Sequence, residues 1–144
     1  MNSPQPVDIF EVMHELLHLL RDRIRKDMET METELTPNEV RVLMTVGHRP
    51  GLTQKELVDH SHMDKAQLAR MLAELETQGW LQREPDPRDR RVRCLRLSAQ
   101  GQALADGLHR SRQELSAHLL KDWKPSDLQQ LMQLLEQARS SLLS

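Results

Sequence analysis

The chain has 144 residues, with 20 Lys and Arg against 22 Asp and Glu and a formal net charge of -2. That length predicts one domain, or two small subdomains sharing a core. The acidic balance excludes a polycationic nucleic-acid coat, and 2% aromatic residues exclude a single-strand binder that stacks bases on rings.

Residues 7–32 form one long helical pattern. Phe10, Met13, Leu17, Leu20, Ile24 and Met28 recur every three or four positions, and Asp8 is placed to cap the start. Such a helix is roughly 35–40 Å long. Thr36-Pro37-Asn38-Glu39 is a capping box with Pro at the first helical position, and its helix runs to Gly47. Pro50-Gly51 is a turn signal. Thr53-Gln54-Lys55-Glu56 starts a short helix, His60-Ser61-His62 is a tight connection, and Asp64 starts a third helix. Gly79 ends that helix in the left-handed conformation. Residues 80–83 and 92–97 read as two strands, joined by the charged loop Glu84-Pro85-Asp86-Pro87-Arg88-Asp89-Arg90-Arg91. Ser98 caps a helix through Leu104, Leu108, Leu115 and Leu119. Trp123-Lys124-Pro125-Ser126 breaks it, and a last helix carries Leu128 to Leu142.

Helix, helix, helix, strand, charged loop, strand is the order of a winged helix-turn-helix. The fold class is therefore mainly α, of the α+β kind. On a wheel at about 100° per residue, Leu68, Met71, Leu72 and Leu75 share the core face of the third short helix. Ala66, Arg70, Ala73 and Thr77 lie opposite, flanked by Gln67 and Ala69, with Lys65 at the start. Small residues let a helix approach base edges. Arg bonds guanine bidentately, and Gln bonds adenine. The plain alternative is a solvated face with alanines chosen for helix propensity. The hairpin favours the DNA reading. Arg88, Arg90, Arg91, Arg93 and Arg96 are opposed locally by Asp89, and arginine at a wing tip suits the negative potential of the minor groove. Asp89 is expected to orient Arg91 or Arg88 by a charge-assisted pair.

These residues resemble the MarR family of bacterial transcription regulators. The family's wing signature is Asp, any residue, Arg, five of any kind, Leu, Thr. Asp89-Arg90-Arg91-Val92-Arg93-Cys94-Leu95-Arg96-Leu97-Ser98 fits it, with Ser for Thr. Leu35-Thr36-Pro37, Gln54-Lys55-Glu56-Leu57, Asp64-Lys65 and Leu75-Glu76-Thr77-Gln78-Gly79 are similar to its other landmarks. The similarity covers about residues 35 to 105. It implies one chain-wide unit over 1–144, with residues 35–97 as the DNA-binding region. It also implies that residues 7–32 and 99–143 interlock in a two-fold dimer reading palindromic duplex DNA. Repression relieved by small anionic or phenolic molecules, or by oxidation, is implied as well. The family's recognition helix usually starts Lys-Ser-Thr-Val-Thr-Arg. Here it is Lys65-Ala66-Gln67-Leu68-Ala69-Arg70, so the preferred DNA sequence does not carry over.

Apolar stripes on the terminal helices, in a chain only 38% hydrophobic, independently favour a homodimer. An effector slot is expected where the first helix meets the helix from Pro37. Phe10, Met13, His14, Leu17, Arg21, Met44 and His48 would line it for a small aromatic carboxylate. His14-Glu15-Leu16-Leu17-His18 matches the short zinc-protease pattern, but no third ligand follows. The expectation is a non-enzyme without cofactor, with His14 and His18 as a metal-responsive site the alternative. A winged-helix protein-interaction module without DNA binding is another. Cys94, the single cysteine, excludes an internal disulfide and reads as a half-buried thiol. The family's peroxide-sensing cysteine lies in the first helix, where this chain has none. The N-terminus has no apolar leader and no run spans a membrane, so a soluble, cytoplasmic protein is expected.

Overall fold

The computed structural model describes residues 2–31, 33–61 and 63–144. They divide into two compact units, residues 1–109 and 110–144. Among them no helix is long and apolar enough to cross a membrane.

The first unit opens with α1 (Pro6–Thr30). Its cap lies one turn earlier than expected. Gln5 is the N-cap, and Asp8 accepts a 3.0 Å hydrogen bond from the Gln5 N–H as the third helical residue. Proline at the first position needs no amide partner, which moves the start forward. Residue 32, the expected end of this helix, lies outside the described residues.

Thr36 caps α2 (Pro37–His48) with the expected box. Its hydroxyl accepts from the Glu39 N–H at 3.2 Å, and the Glu39 carboxylate accepts from the Thr36 N–H at 3.2 Å. Thr53 caps α3 (Gln54–Ser61) by accepting from the Glu56 N–H at 3.1 Å. The expected connection after it includes His62, which lies outside the described residues. Asp64 caps α4 (Lys65–Thr77) through the Gln67 N–H at 3.2 Å. At its other end the Trp80 N–H bonds to the Leu75 carbonyl and the Gly79 N–H to that of Glu76. This pair of hydrogen bonds requires a left-handed residue, and Gly79 has φ 85°.

The sheet has three antiparallel strands, one more than expected. β1 (Leu52–Thr53) pairs with β3 (Arg93–Leu97), which also pairs with β2 (Leu81–Pro85). Two residues are too few to show alternation, so β1 was invisible to periodicity. The wing strands also sit one or two residues from their expected bounds. β3 is central, and Cys94 and Leu95 are each 1% exposed although they point to opposite faces. The expectation of a half-buried Cys94 is corrected accordingly.

The core is built from Val40, Leu43, Val46, Leu57, Leu68, Leu72, Leu75, Leu81 and Leu95, with Met28 of α1 and Leu108 of α5 (Ala99–Leu119) joining it. The wing root is tied to the start of α5. The Ser98 N–H bonds to the Trp80 carbonyl at 3.0 Å, and the Ser98 hydroxyl donates to the Gly79 carbonyl and accepts from the Gly101 N–H. Gly101 passes so close that a Cβ there would lie 2.3 Å from the Trp80 oxygen.

The second unit holds the end of α5 and α6 (Pro125–Leu143). No α6 residue is buried, and Leu134, Leu135 and Met132 are 55, 45 and 60% exposed. The N-terminal half of α1 is equally open: Val7, Ile9, Phe10, Val12, Met13, Leu16, Leu17 and Leu19 are all 41–62% exposed.

Gly101→Ala is expected to destabilise the chain by about 1–3 kcal/mol, because the clash is with backbone that cannot step aside. Urea unfolding of the two proteins measures the difference.

Candidate nucleic-acid interface

α4 is short, and its rotation is fixed by one stripe. Leu68, Leu72 and Leu75 are 0% exposed, and Met71 packs partly buried beside them. The opposite face is therefore turned to solvent. Lys65, Ala66, Gln67, Arg70, Ala73 and Thr77 are exposed, and Ala69 is half-buried at the edge. Thr77 turns its hydroxyl back to the Ala73 carbonyl at 2.9 Å, so it adds no free donor. Among the described residues Arg70 has no carboxylate partner. Glu74 and Glu76 lie towards the C-terminal end of α4, and Glu76 is occupied by Arg83 at 2.8 Å. The same guanidinium reaches Gln54 at 2.8 Å, so Arg83 ties β2 to both α3 and α4.

The wing sorts its arginines by partner. Arg96 pairs with Glu84 at 2.6 Å. Arg91 pairs with Asp89 at 3.2 Å while its side chain stays 92% exposed at the tip. Asp89 thus orients Arg91, and Arg88 goes to Asp86. The Asp86 carboxylate accepts from the Arg88 backbone N–H at 2.9 Å, Nε at 3.3 Å and Nη2 at 3.2 Å. Arg90 and Arg93 have no carboxylate partner among the described residues and are exposed. Among the described residues the uncompensated positive charge of the wing therefore resides in Arg90 and Arg93, with the paired Arg91 reaching outward at the tip.

Asp86 and Arg83 are the residues that sequence reading missed. Asp86 is only 5% exposed, an uncommon place for a carboxylate. Its flanking prolines mark a loop, and nothing in that pattern shows which way the side chain turns. The hydrogen bonds from Arg88, chiefly that of its side chain, hold the Asp86 carboxyl below its ordinary 3.8, against the opposing effect of burial. Asp86 in turn raises the Arg88 guanidinium.

One chain alone does not gather the expected effector slot. Phe10, Met13 and Leu17 stand 62, 44 and 45% exposed on α1, with the Phe10 ring 5.5 Å from that of His14. Arg21 and His48 are also exposed, and Met44 packs against the core. Ile24 and Met28 of α1, with Met31 at its C-cap, are the residues that meet that core. Met28 lies roughly 20 Å along the helix from His14. The junction is thus nearer the end of α1 than the apolar spacing suggested, because the stripe continues past the stretch that has a partner. His14 and His18 lie one turn apart on the open helix. Among the described residues no three His, Cys, Asp or Glu side chains come together as a metal site.

A family model described as the MarR family matches residues 33–92. The chain is 31% identical over 94 residues to the transcriptional regulator HosA of Escherichia coli O111:H-, spanning 65% of this chain and 69% of that protein. It is 30% identical over 104 residues to the multiple antibiotic resistance protein MarR of Salmonella typhimurium, spanning 72% of each. The crystal structure of wild-type MarR from E. coli in its apo form has the same fold, with TM-score 0.68, 23% identity and coverage of 94% of this chain and 98% of that one.

A carboxylate whose folded value is depressed contributes stability above its unfolded value and loses it as pH falls through the folded one. The Asp86 turn is therefore expected to be fully formed at neutral pH and to open only below pH 3.8. Carbon-detected titration of the Asp86 carboxyl should show a midpoint below that value, and a midpoint at or above it contradicts the pairing.

Proposed function

The chain belongs to the MarR family of transcriptional regulators, and from that premise we propose that it is a cytoplasmic, homodimeric repressor that reads palindromic duplex DNA and is released by a small effector. The observation that carries this reading is the pairing of two surfaces in one compact unit. One is the α4 face of small residues around Gln67 and Arg70, and the other is a wing where Arg90 and Arg93 lack a carboxylate partner among the described residues and Arg91, held by Asp89, points outward. The formal charge of -2 is no obstacle, since counterion release depends on the local patch.

In this reading Lys65, Gln67 and Arg70 enter the major groove, with Ala66, Ala69 and Ala73 permitting close approach and contact with thymine methyls. Arg90, Arg91 and Arg93 lie along the minor groove and backbone. The dimer is formed by α1, α5 and α6. Its support is the apolar surface that each chain leaves wet, which costs roughly 25 cal/mol per Å². Two half-sites then lie about one helical turn apart, roughly 34–36 Å. The effector slot around Phe10, Met13, His14 and Leu17 becomes enclosed where a second chain covers the open half of α1. An effector shifts repression only through unequal affinity for the two dimer shapes.

Arg70→Ala is expected to cost about 1–3 kcal/mol of DNA binding and to relax preference at one base position. Arg91→Ala should weaken binding evenly across sequences. Mobility shifts on a duplex from the protein's own promoter, titrated with salt, check both, and wild-type affinity in both variants refutes the interface.

Sedimentation at micromolar concentration is expected to give a dimer with no folded monomer. Calorimetry with salicylate-like acids should show binding that weakens on His14→Ala.

A further inference from the structure

Arg88 belongs to the wing by sequence, yet its surroundings differ from those of its neighbours. The wing contains two turns of the same construction, three residues apart. In the first, Asp86 accepts from the backbone N–H and Nε of Arg88, at 2.9 and 3.3 Å. In the second, Asp89 accepts from the backbone N–H and Nε of Arg91, at 3.1 and 3.2 Å. The two differ in where they face. The Asp89 side chain is 44% exposed and its arginine points out from the tip. The Asp86 side chain is 8% exposed, and its arginine, itself 75% exposed, carries a further surface contact, Nη2 to the half-exposed Glu56 of α3 at 3.7 Å.

We propose that Arg88 is a positioning residue rather than a DNA contact: Asp86 holds it, and it braces the wing against Glu56 of the helix-turn-helix. The inference rests on the DNA-binding reading above and assigns one residue within it. Two physical arguments carry it. First, Asp86 engages Nε and Nη2 of Arg88 and sets the plane of the guanidinium, so swinging it round to follow a phosphate would strip a buried carboxylate of its charged partner. Second, a cation already flanked by two carboxylates has little charge to exchange for bound counterions. Arg90 and Arg93, without partners among the described residues, meet neither obstacle.

The loop between β2 and β3 is otherwise closed by the Asp86 N–H on the Val92 carbonyl at 2.8 Å and the Val92 N–H on the Asp89 carbonyl at 3.0 Å. Those bonds fix the shape of the tip. They do not fix its lean towards α3, and among the described residues the Arg88–Glu56 contact is the ion pair that joins the tip to that helix.

The test measures binding to a duplex selected by the wild-type protein from a random pool, across a series of salt concentrations. Arg90→Gln is the reference and should lower the slope of log affinity against log salt by about 1.8 per dimer, one phosphate contact from each protomer. Arg88→Gln is expected to weaken binding three- to tenfold with the slope unchanged. Arg88→Lys should behave like Arg88→Gln, because a lysine keeps the charge but cannot make the forked contact with Asp86. Asp86→Asn should weaken binding, although simple charge removal near DNA would strengthen it. A slope lowered in Arg88→Gln, or rescue by lysine, would overturn the proposal. Amide spectra of the free protein provide the second readout, since Arg88→Gln should shift the α3 amides around Glu56. Unmoved α3 amides also overturn it. If the wild type selects no duplex, the DNA-binding reading itself fails, and the α3 shifts alone then decide whether the brace exists.

Discussion

Leu68, Leu72 and Leu75 lie at zero exposure along one stripe of α4, and their burial fixes the rotation of that helix about its own axis. A helix has one orientation in which such a stripe is dry, and the cost of turning it out is several kilocalories per leucine. The opposite face is determined by subtraction. Gln67 and Arg70 are presented outward by what the leucines on the far side require. The close cap at Asp64 and the left-handed Gly79 then set where the face begins and ends.

The wing obeys a different constraint, the need to keep like charges apart while leaving some of them unspent. Five arginines within nine residues would repel one another if all were free. The fold distributes four carboxylates among them: Glu84 to Arg96, Asp86 and Glu56 to Arg88, and Asp89 to Arg91. The result is a graded surface, neutral at the root and positive towards the tip. Net charge for the whole chain hides this gradient, and position along the strand reveals it.

Much of this was legible in the residues. Capping boxes at Thr36 and Thr53, the Asp64 cap and Gly79 located three short helices because each has a local hydrogen-bonding reason. The α4 wheel was readable because one period governs thirteen residues. What escaped was non-local. β1 pairs two residues with a strand some forty positions away, and nothing in Leu52-Thr53 announces it. Cys94 is buried because β3 is the middle strand, a fact of sheet order rather than of alternation. Asp86 turns inward because the backbone N–H and guanidinium of Arg88 meet its carboxylate there, a contact that no local sequence pattern spells out. On α1 the apolar period runs on beyond the stretch that packs, so periodicity alone could not mark where the contact with the core lies.

The separation of the two faces of α4 has an evolutionary consequence. Ala66, Gln67, Arg70 and Ala73 contribute nothing to the buried stripe, and exchanges at exposed helix positions usually change stability by no more than about 0.5 kcal/mol. A lineage can therefore explore substitutions at these positions without approaching the threshold at which the fold fails. On the proposed DNA-reading role, two copies of such a chain could part company after gene duplication in the promoters they answer to while keeping the same scaffold. Divergence of targets would then be paced by selection on the regulated genes and not by the tolerance of the protein.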